Sequence, residues 1–180
     1  MHREIADRTA DLALSAPDGM GAPQRILDVG CGTGYLLRLL ADRCPNALAL
    51  VGVDPAPAMV RVAEAAATDQ RLRFYAGVVA EHLPFPNGSF DLVVSTTSFD
   101  HWSDQAAGLA ECARVLAPAA RLVLVDQFSV LLAPTLLFGR RGKARTRRRT
   151  DRLLNVAGLR PLSWDRLYAV VIQAVVATRQ

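Results

Sequence analysis

An apolar run leads directly into three closely spaced glycines in the stretch LDVGCGTGY, residues 27–35. Glycine takes up positive φ without a steric cost and lets other groups approach the backbone closely. The spacing therefore predicts a tight turn between a buried strand, RILDV at residues 25–29, and a helix that extends to about residue 43. A strand that passes straight into a helix in this way favours an α/β fold.

Short apolar segments alternate with longer segments of helical spacing along the rest of the chain, a pattern typical of a parallel sheet covered on both faces. The further strands are predicted at residues 47–53, 71–75, 91–96, 121–126, 161–167 and 168–178. The helices are predicted at residues 3–14, 56–67, 103–116 and 150–157. Ser103 is the predicted N-cap of its helix. One α/β domain of about seven strands, residues 1–180, accounts for the chain, and residues 1–24 supply an N-terminal helix.

The composition argues against a secreted or membrane-spanning protein. No apolar run reaches the ~18 to 20 residues needed to cross a bilayer, and the charged start MHREIADRTADLAL lacks the apolar segment of a signal peptide. The three cysteines, Cys31, Cys44 and Cys112, are odd in number and widely spaced, so neither a disulfide nor a metal site is predicted. We therefore expect a cytoplasmic protein. The oligomeric state is open, and a homo-oligomer is compatible with the sequence.

The glycines and two nearby acids indicate which kind of ligand the turn could hold. Gly30, Gly32 and Gly34 follow the spacing G-x-G-x-G, whereas a dinucleotide fold spaces its glycines G-x-G-x-x-G around a pyrophosphate. Asp28 precedes the first glycine by two residues, where a carboxylate would repel a pyrophosphate and attract a positively charged amino group. Asp54, at the end of the second predicted strand, is placed to accept hydrogen bonds from two ribose hydroxyls.

Several motifs in sequence order resemble those of one enzyme family. LDVGCGTG resembles the first motif of class I S-adenosylmethionine-dependent methyltransferases, and GVDPAPAM looks like their second. AEHLPFPNGSFDLVVSTTSFDHWSD and ECARVLAPAARLVLVD resemble the next motifs of the small-molecule branch often called type 11. The closing AGLRP and AVVIQAVVATR are similar to that family's last helix end and final β-hairpin. The resemblance spans roughly residues 25–179.

The resemblance implies a Rossmann-like α/β fold with a seven-stranded, mostly parallel sheet flanked by helices, its last strand antiparallel and inserted beside the fifth. It also implies S-adenosyl-L-methionine as the cofactor. The cofactor-binding residues carried over by the resemblance are Asp28, Gly30, Cys31, Gly32, Gly34, Asp54, Pro55, Val79, Ala80, Glu81 and Ser95.

The chain departs from the family pattern in two places. An acid usually precedes the Ala-Glu pair of the third motif and reaches the adenine amino group, but Val79 stands before Ala80 here. Adenine recognition would then rest on backbone groups and apolar walls such as Pro55. Ala119 and Ala120 replace the glycine pair before the fifth strand, which changes a turn rather than the chemistry.

The acceptor is expected to meet the segment after the fourth strand, residues 97–102. Histidine is the side chain best suited to act as a general base near neutral pH, so His101, the only histidine in this segment, is the predicted catalytic residue. The alternative is that His101 is a helix-start residue hydrogen-bonded to a neighbour. Trp102 is expected to belong to the core or to a pocket wall rather than to make a cation–π contact with the sulfonium.

The charge of the chain is concentrated in one run. Residues 1–138 hold 10 Lys and Arg against 15 Asp and Glu, whereas residues 139–180 hold 11 against 2. The run GRRGKARTRRRTDR, residues 139–152, could bind the phosphates of nucleic acid or of an anionic membrane surface. It could also belong to a basic lid at residues 127–149 that recruits an anionic or lipid-like acceptor, or be a solvated loop. Because only 24 residues precede the first strand, either this segment covers the site or the site is open.

The sequence argues against nucleic acid as the substrate. Residues 95–98 read Ser-Thr-Thr-Ser where base amino methylation generally requires Asn/Asp-Pro-Pro-aromatic, and no cysteine nucleophile for cytosine lies between Cys44 and Cys112. The sequence thus predicts a methyltransferase acting on a small-molecule or lipid-like acceptor. Two alternatives stay open: an inactive binding or scaffold protein with this fold, and a nucleic-acid-associated methyltransferase that uses the basic run at residues 140–149.

Overall fold

The structure, a computed structural model, describes residues 2–15, 22–128, 146–168 and 171–180. Its helices are α1 (His2–Leu14), α2 (Tyr35–Arg43), α3 (Pro57–Ala65), α4 (Gln105–Val115) and α5 (Arg147–Val156). Its strands are β1 (Arg25–Val29), β2 (Ala49–Asp54), β3 (Leu72–Ala76), β4 (Phe90–Thr96), β5 (Leu116–Gln127), β6 (Leu159–Tyr168) and β7 (Ile172–Arg179). A 3₁₀ turn, Phe99–His101, lies between β4 and α4.

The seven strands form one sheet in the order β3-β2-β1-β4-β5-β7-β6. β7 pairs antiparallel with both β5 and β6, and the other pairings are parallel. The predicted α/β fold, with a last strand that runs antiparallel beside the fifth, is therefore confirmed. β1 has β2 on one side and β4 on the other, so the connections that leave the sheet after β1 and after β4 lead away from each other. This arrangement opens a crevice at the carboxyl ends of the strands.

The central strands β1, β2, β4 and β7 are buried along most of their length, which explains why they are mainly apolar, whereas the edge strands β3 and β6 are more exposed. In β5, Leu122 and Leu124 pack into the core cluster that includes residues of α4, whereas Val123 and Val125 pack into the cluster that includes residues of α1 and α2. Alternate side chains of one strand thus supply two separate cores. This follows from the geometry of an extended strand, in which successive side chains point to opposite faces of the sheet.

Two arginines hold α1 against the rest of the domain. Arg121, which is only 3% exposed, donates from Nη1 to the carbonyl of Ser15 at 2.6 Å and from Nη2 to that of Ala13 at 3.2 Å. These carbonyls end α1 and have no intrahelical partner, so a cation suits them. Arg43 of α2 pairs with Asp7 and Asp11, each at 2.6 Å. Because Arg121 lies near the amino edge of the parallel sheet, the first turn of α1 lies toward the carboxyl edge.

Some predicted boundaries differ from those observed. Asp104, not Ser103, caps α4, because its carboxylate accepts from the amides of Ala106 at 2.9 Å and Ala107 at 3.1 Å. A carboxylate at this position also compensates the helix dipole better than a hydroxyl can. The last helix begins earlier than predicted, at Arg147, because the side chain of Thr146 accepts from the amide of Arg149.

The pair Ala119-Ala120 lies in an irregular part of β5. The register of β5 against β4 jumps from Leu116, paired with Phe90, to Arg121, paired with Leu92. Within this bulge Ala119 has a φ of +61°, a conformation that costs an alanine roughly 1–2 kcal/mol. The departure from the family pattern therefore places a side chain where glycine is favoured.

Replacing Ala119 with glycine should stabilise the protein by roughly 0.5–1 kcal/mol, because the relief of positive-φ strain exceeds the entropic cost of glycine. The matched control is Ala120→Gly, at a position that lacks positive φ and is 7% exposed, which should lower the stability. Urea unfolding followed by circular dichroism measures both changes. Equal destabilisation by the two variants would contradict the strain at Ala119.

Candidate active site

A cavity of about 850 Å³ opens at the carboxyl ends of β1, β2, β3 and β4, with the first turn of α1 along one side. Most of the residues predicted to bind the cofactor line it, and so does the predicted base. These residues are Asp28, Gly30, Cys31, Gly32, Asp54, Pro55, Val79, Ala80, Glu81 and His101. Gly34 and Ser95 do not line it. The structure therefore brings together groups that lie as much as 73 residues apart along the chain.

The glycine loop is held against β2 by its backbone. The amides of Gly30 and Cys31 both donate to the carbonyl of Val53, at 2.9 and 3.0 Å. A Cβ on Gly30, whose φ is +79°, would lie 2.3 Å from Oγ of Ser98, so no larger residue fits there. A Cβ on Gly32 would meet no atom within 4 Å. Gly30 thus permits close packing of the loop, and Gly32 leaves the backbone accessible from the cavity.

Gly34, the last glycine of the loop, lies outside the cavity and packs against Phe74. It is the N-cap residue of α2 with a φ of +70°, and a Cβ there would lie 2.8 Å from the ring of Phe74. Its role is to let α2 start close to the neighbouring strands. The expectation that it contacts the cofactor directly has no support from its position.

Asp54 connects the glycine loop to the start of α3. Its Oδ2 accepts from the amide of Gly32 at 2.9 Å, and its Oδ1 accepts from the amide of Ala56 at 2.8 Å. Each carboxylate oxygen can accept a second hydrogen bond. The side chain is 8% exposed and lines the cavity, so it can hold the loop and still accept from a pair of hydroxyls.

Asp28 is a buried carboxylate without a bonded partner. It is 2% exposed, it lines the cavity, and among the described residues no donor forms a hydrogen bond or ion pair with it. Burial, and secondarily the charge of Asp54, raises the pKa of Asp28 from 3.8 to about 7. Such a group is costly to ionise alone and is stabilised by a cationic ligand.

The side of the cavity predicted to meet adenine is mainly apolar. Val79 is 44% exposed, Ala80 next to it in the chain is buried, and Pro55 also lines the cavity. The carboxylate of Glu81 accepts from the amide of Asp104 at 2.8 Å, so it supports the start of α4. Val79 leaves this wall without the acid that the family usually has there.

Ser98 organises the loop after β4. Its hydroxyl donates to the carbonyl of Val29 at 2.8 Å and lies 2.8 Å from the hydroxyl of Ser95. Nε1 of Trp102 donates to the same Ser98 oxygen at 3.3 Å. Ser95 is fully buried and does not line the cavity, so the expectation that it contacts the cofactor has no support from its position. Trp102 forms a cavity wall, as predicted.

The turn that carries His101 is held on both sides. Oδ2 of Asp126 accepts from the amide of Asp100 at 3.0 Å, and Nε2 of Gln105 donates to the carbonyl of Phe99 at 2.9 Å. Arg149 of α5 donates to Oε1 of Gln105 at 2.7 Å. The amide of His101 donates to the carbonyl of Ser98, whereas its side chain is exposed and lines the cavity. This geometry leaves the imidazole available to a ligand.

Sequence reasoning missed the contribution of α1. Arg3, Ile5 and Ala6 from its first turns line the cavity, together with Tyr35 at the start of α2. The amphipathic spacing of residues 3–14 predicts the helix and its buried face. It carries no signal for which end of the domain that face covers, because this depends on contacts with residues more than 100 positions away, such as Arg121.

The elevated pKa of Asp28 predicts a pH-dependent stability. Because the folded state retains a proton that the unfolded state releases, stability should fall as pH rises from about 4 to about 7 and stay low above that. The cost at high pH is up to about 4 kcal/mol. The ligand-free Asp28→Asn variant should lose this component, as measured by urea unfolding between pH 5 and pH 8. If the stability of the variant and that of the unchanged protein depended on pH in the same way, the raised pKa of Asp28 would be contradicted.

Comparison with known proteins assigns the chain to a family. The family model described as a methyltransferase domain matches residues 27–124. The chain is similar to the demethylmenaquinone methyltransferase of Thermus thermophilus, with 43% identity over 122 residues that cover 66% of this chain and 52% of that protein. It is also similar to the malonyl-acyl-carrier-protein O-methyltransferase of Geobacter sulfurreducens, with 48% identity over 106 residues that cover 59% of this chain and 39% of that protein. The chain spans about half of the length of these relatives, or less.

A solved structure of geranyl diphosphate methyltransferase in complex with S-adenosylmethionine has the same fold. The TM-score is 0.81 at 17% identity, and the superposition covers 99% of this chain and 87% of that one. At this identity the likeness supports the fold, and the family assignment rests on the match over residues 27–124. By that match this chain belongs to the class I S-adenosylmethionine-dependent methyltransferases, and S-adenosylmethionine is its cofactor.

Proposed function

We propose that the protein transfers the methyl group of S-adenosylmethionine to a small-molecule or lipid-like acceptor. One observation carries the proposal: the buried Asp28 carboxylate, unpaired among the described residues, shares a cavity with Asp54 and the open backbone of Gly32. A buried carboxylate without a partner is unfavourable, and the ammonium group of the methionine portion would supply one. The chain's own residues therefore fit the cofactor of its family.

In this proposal Asp28 and Asp54 divide the recognition of the donor. Asp28 binds the ammonium group, and Asp54 accepts from the ribose hydroxyls with the lone pairs that the loop amides leave unused. The adenine lies against Val79, Ala80 and Pro55, where shape and backbone groups replace the usual acid. The bound donor supplies a methyl group on a positively charged sulfur.

The acceptor would approach from the loop after β4. Thr97 is exposed there with a φ of +55°, a strained conformation for a β-branched residue, and its amide donates to the carbonyl of Val125 at 2.7 Å. In this proposal the imidazole of His101, which is exposed and lines the cavity, takes a proton from an acceptor that must lose one. The names of the similar curated methyltransferases, one for demethylmenaquinone and one for malonyl-acyl-carrier protein, support a small-molecule or lipid-like acceptor.

The basic lid at residues 127–149 stays a prediction, since residues 129–145 lie outside the described part of the chain. At its described end, Arg147 lies 5.1 Å from the ring centre of Trp164 and donates to Gln173 at 2.7 Å. Arg149 donates to Gln105. Two arginines of the run thus support the fold, which lessens the case for a nucleic-acid surface. In the described part of the chain, no helix is long and apolar enough to span a membrane.

Removing the Asp54 carboxylate should weaken donor binding by roughly 1–3 kcal/mol, because ribose hydrogen bonds are lost. The experiment is calorimetric titration of S-adenosylmethionine into Asp54→Ala and into Asp54→Asn, whose amide oxygen can still accept one of the backbone bonds. Asp42→Ala, at an exposed acid that does not line this cavity, is the matched control and should bind normally. Unchanged affinity in Asp54→Ala would show that this residue does not hold the ribose.

Transfer itself is tested with methyl-labelled S-adenosylmethionine and separated lipid, small-molecule, protein and RNA fractions of a cell extract. We expect label in a lipid or small-molecule fraction, and a loss of about 10²–10⁴-fold in rate for His101→Gln with unchanged donor affinity. His82→Gln, at an exposed histidine that does not line this cavity, is the control. The absence of label from every fraction would favour the scaffold alternative, and label in the RNA fraction would favour the nucleic-acid alternative. Full activity of His101→Gln would exclude this histidine as the base.

A further inference from the structure

The charged groups around the cavity are strongly unequal in sign. Three carboxylates line it, those of Asp28, Asp54 and Glu81, and among the described residues Arg3 is the only Lys or Arg that does. A donor with an amino-acid end brings one ammonium and one carboxylate into this cavity. Three acidic side chains of the cavity could pair with the ammonium group, whereas in the described part of the chain only one Lys or Arg side chain, that of Arg3, could pair with the carboxylate.

Two of the three acidic side chains already accept hydrogen bonds from backbone amides of the protein. Asp54 accepts from two backbone amides, and Glu81 accepts from the amide of Asp104. Asp28 and Arg3 are the two charged groups of the cavity that have no hydrogen bond or ion pair among the described residues. Glu4, which follows Arg3 on the helix, pairs instead with Arg8 at 3.8 Å.

The position of Arg3 is set by the packing of α1 rather than by a local bond. Ile5 and Ala6, in the same turn, are 3% and 6% exposed and line the cavity. Arg43 and Arg121 hold the later turns through the acids and carbonyls described above. The helix can therefore present the Arg3 side chain at the cavity without a further contact to hold it there.

We propose that Arg3 binds the α-carboxylate of the methionine portion of the donor, opposite Asp28, which binds its ammonium group. The proposal rests on the donor assignment made above. An arginine forms two parallel hydrogen bonds with a carboxylate, so it supplies direction as well as charge. The two unpaired charges of the cavity would then match the two charges of a zwitterion, and α1 would be part of the donor site.

The proposal distinguishes two donors that differ in one group. Decarboxylated S-adenosylmethionine keeps the ammonium and the sulfonium but lacks the carboxylate. If Arg3 binds that carboxylate, the decarboxylated ligand should bind the unchanged protein about tenfold more weakly than S-adenosylmethionine. Arg3→Gln should bind both ligands with the same low affinity, because the side chain that distinguished them is gone.

Calorimetric titration of both ligands into the unchanged protein, Arg3→Gln and Arg3→Lys measures this directly, with any purification tag placed at the C terminus. Arg3→Lys should recover part of the affinity, since it retains the charge but not the bidentate geometry. Arg8→Gln, on the same helix but not at the cavity, is the matched control and should leave both affinities unchanged. Circular dichroism and thermal unfolding of each variant show whether α1 stays folded.

The outcomes separate this proposal from the one on which it rests. Normal binding of S-adenosylmethionine to Arg3→Gln would overturn the role of Arg3. An equal loss for both ligands in Arg3→Gln would also overturn it, because it would show a general effect of α1. Failure of the unchanged protein to bind S-adenosylmethionine would instead contradict the donor site as a whole.

Discussion

The reversal of strand order at β1 is the constraint on which the site depends. With β2 on one side of β1 and β4 on the other, the loops that follow β1 and β4 separate and leave a crevice between them. Backbone and side-chain bonds then bring the loops back together at its base. The amides of Gly30 and Cys31 bond to Val53, and the Ser98 hydroxyl bonds to Val29. The cavity is therefore a consequence of topology, and its shape is a consequence of these few bonds.

The burial of Asp28 in this crevice lowers the stability of the ligand-free protein when the carboxyl group ionises, and it favours the binding of a cation. A carboxylate that is 2% exposed beside Asp54 holds its proton to near neutral pH, which means that ionising it lowers the stability of the ligand-free protein. A bound cation offsets that cost. The same desolvation strengthens the attraction once the ligand is present, because few waters compete for the charge. An unfavourable site in the empty protein is thus a favourable one for an ammonium group.

The helices that cover the sheet are tied to the cavity by arginines whose partners are distant in sequence. Arg121 fixes the end of α1, whose first turn reaches the cavity. Arg149 reaches from α5 to Gln105, which bonds to the turn that carries His101. Part of the basic run therefore connects α5 to the turn that follows β4. Arginines of this run thus stabilise the tertiary structure through hydrogen bonds to Gln105 and Gln173.

The sequence by itself determined the strands, the helices, the glycine turn and the two acids Asp28 in β1 and Asp54 at the end of β2, because these depend on period, on backbone freedom and on neighbours a few residues apart. It placed the cap of α4 one residue early, since Ser103 and Asp104 are both good caps and only the backbone geometry selects one. The tertiary structure decided that Ser95 lies behind Ser98 and that Arg3 lies at the cavity. Both depend on packing between segments far apart in the chain, and local sequence patterns do not specify which distant surfaces meet.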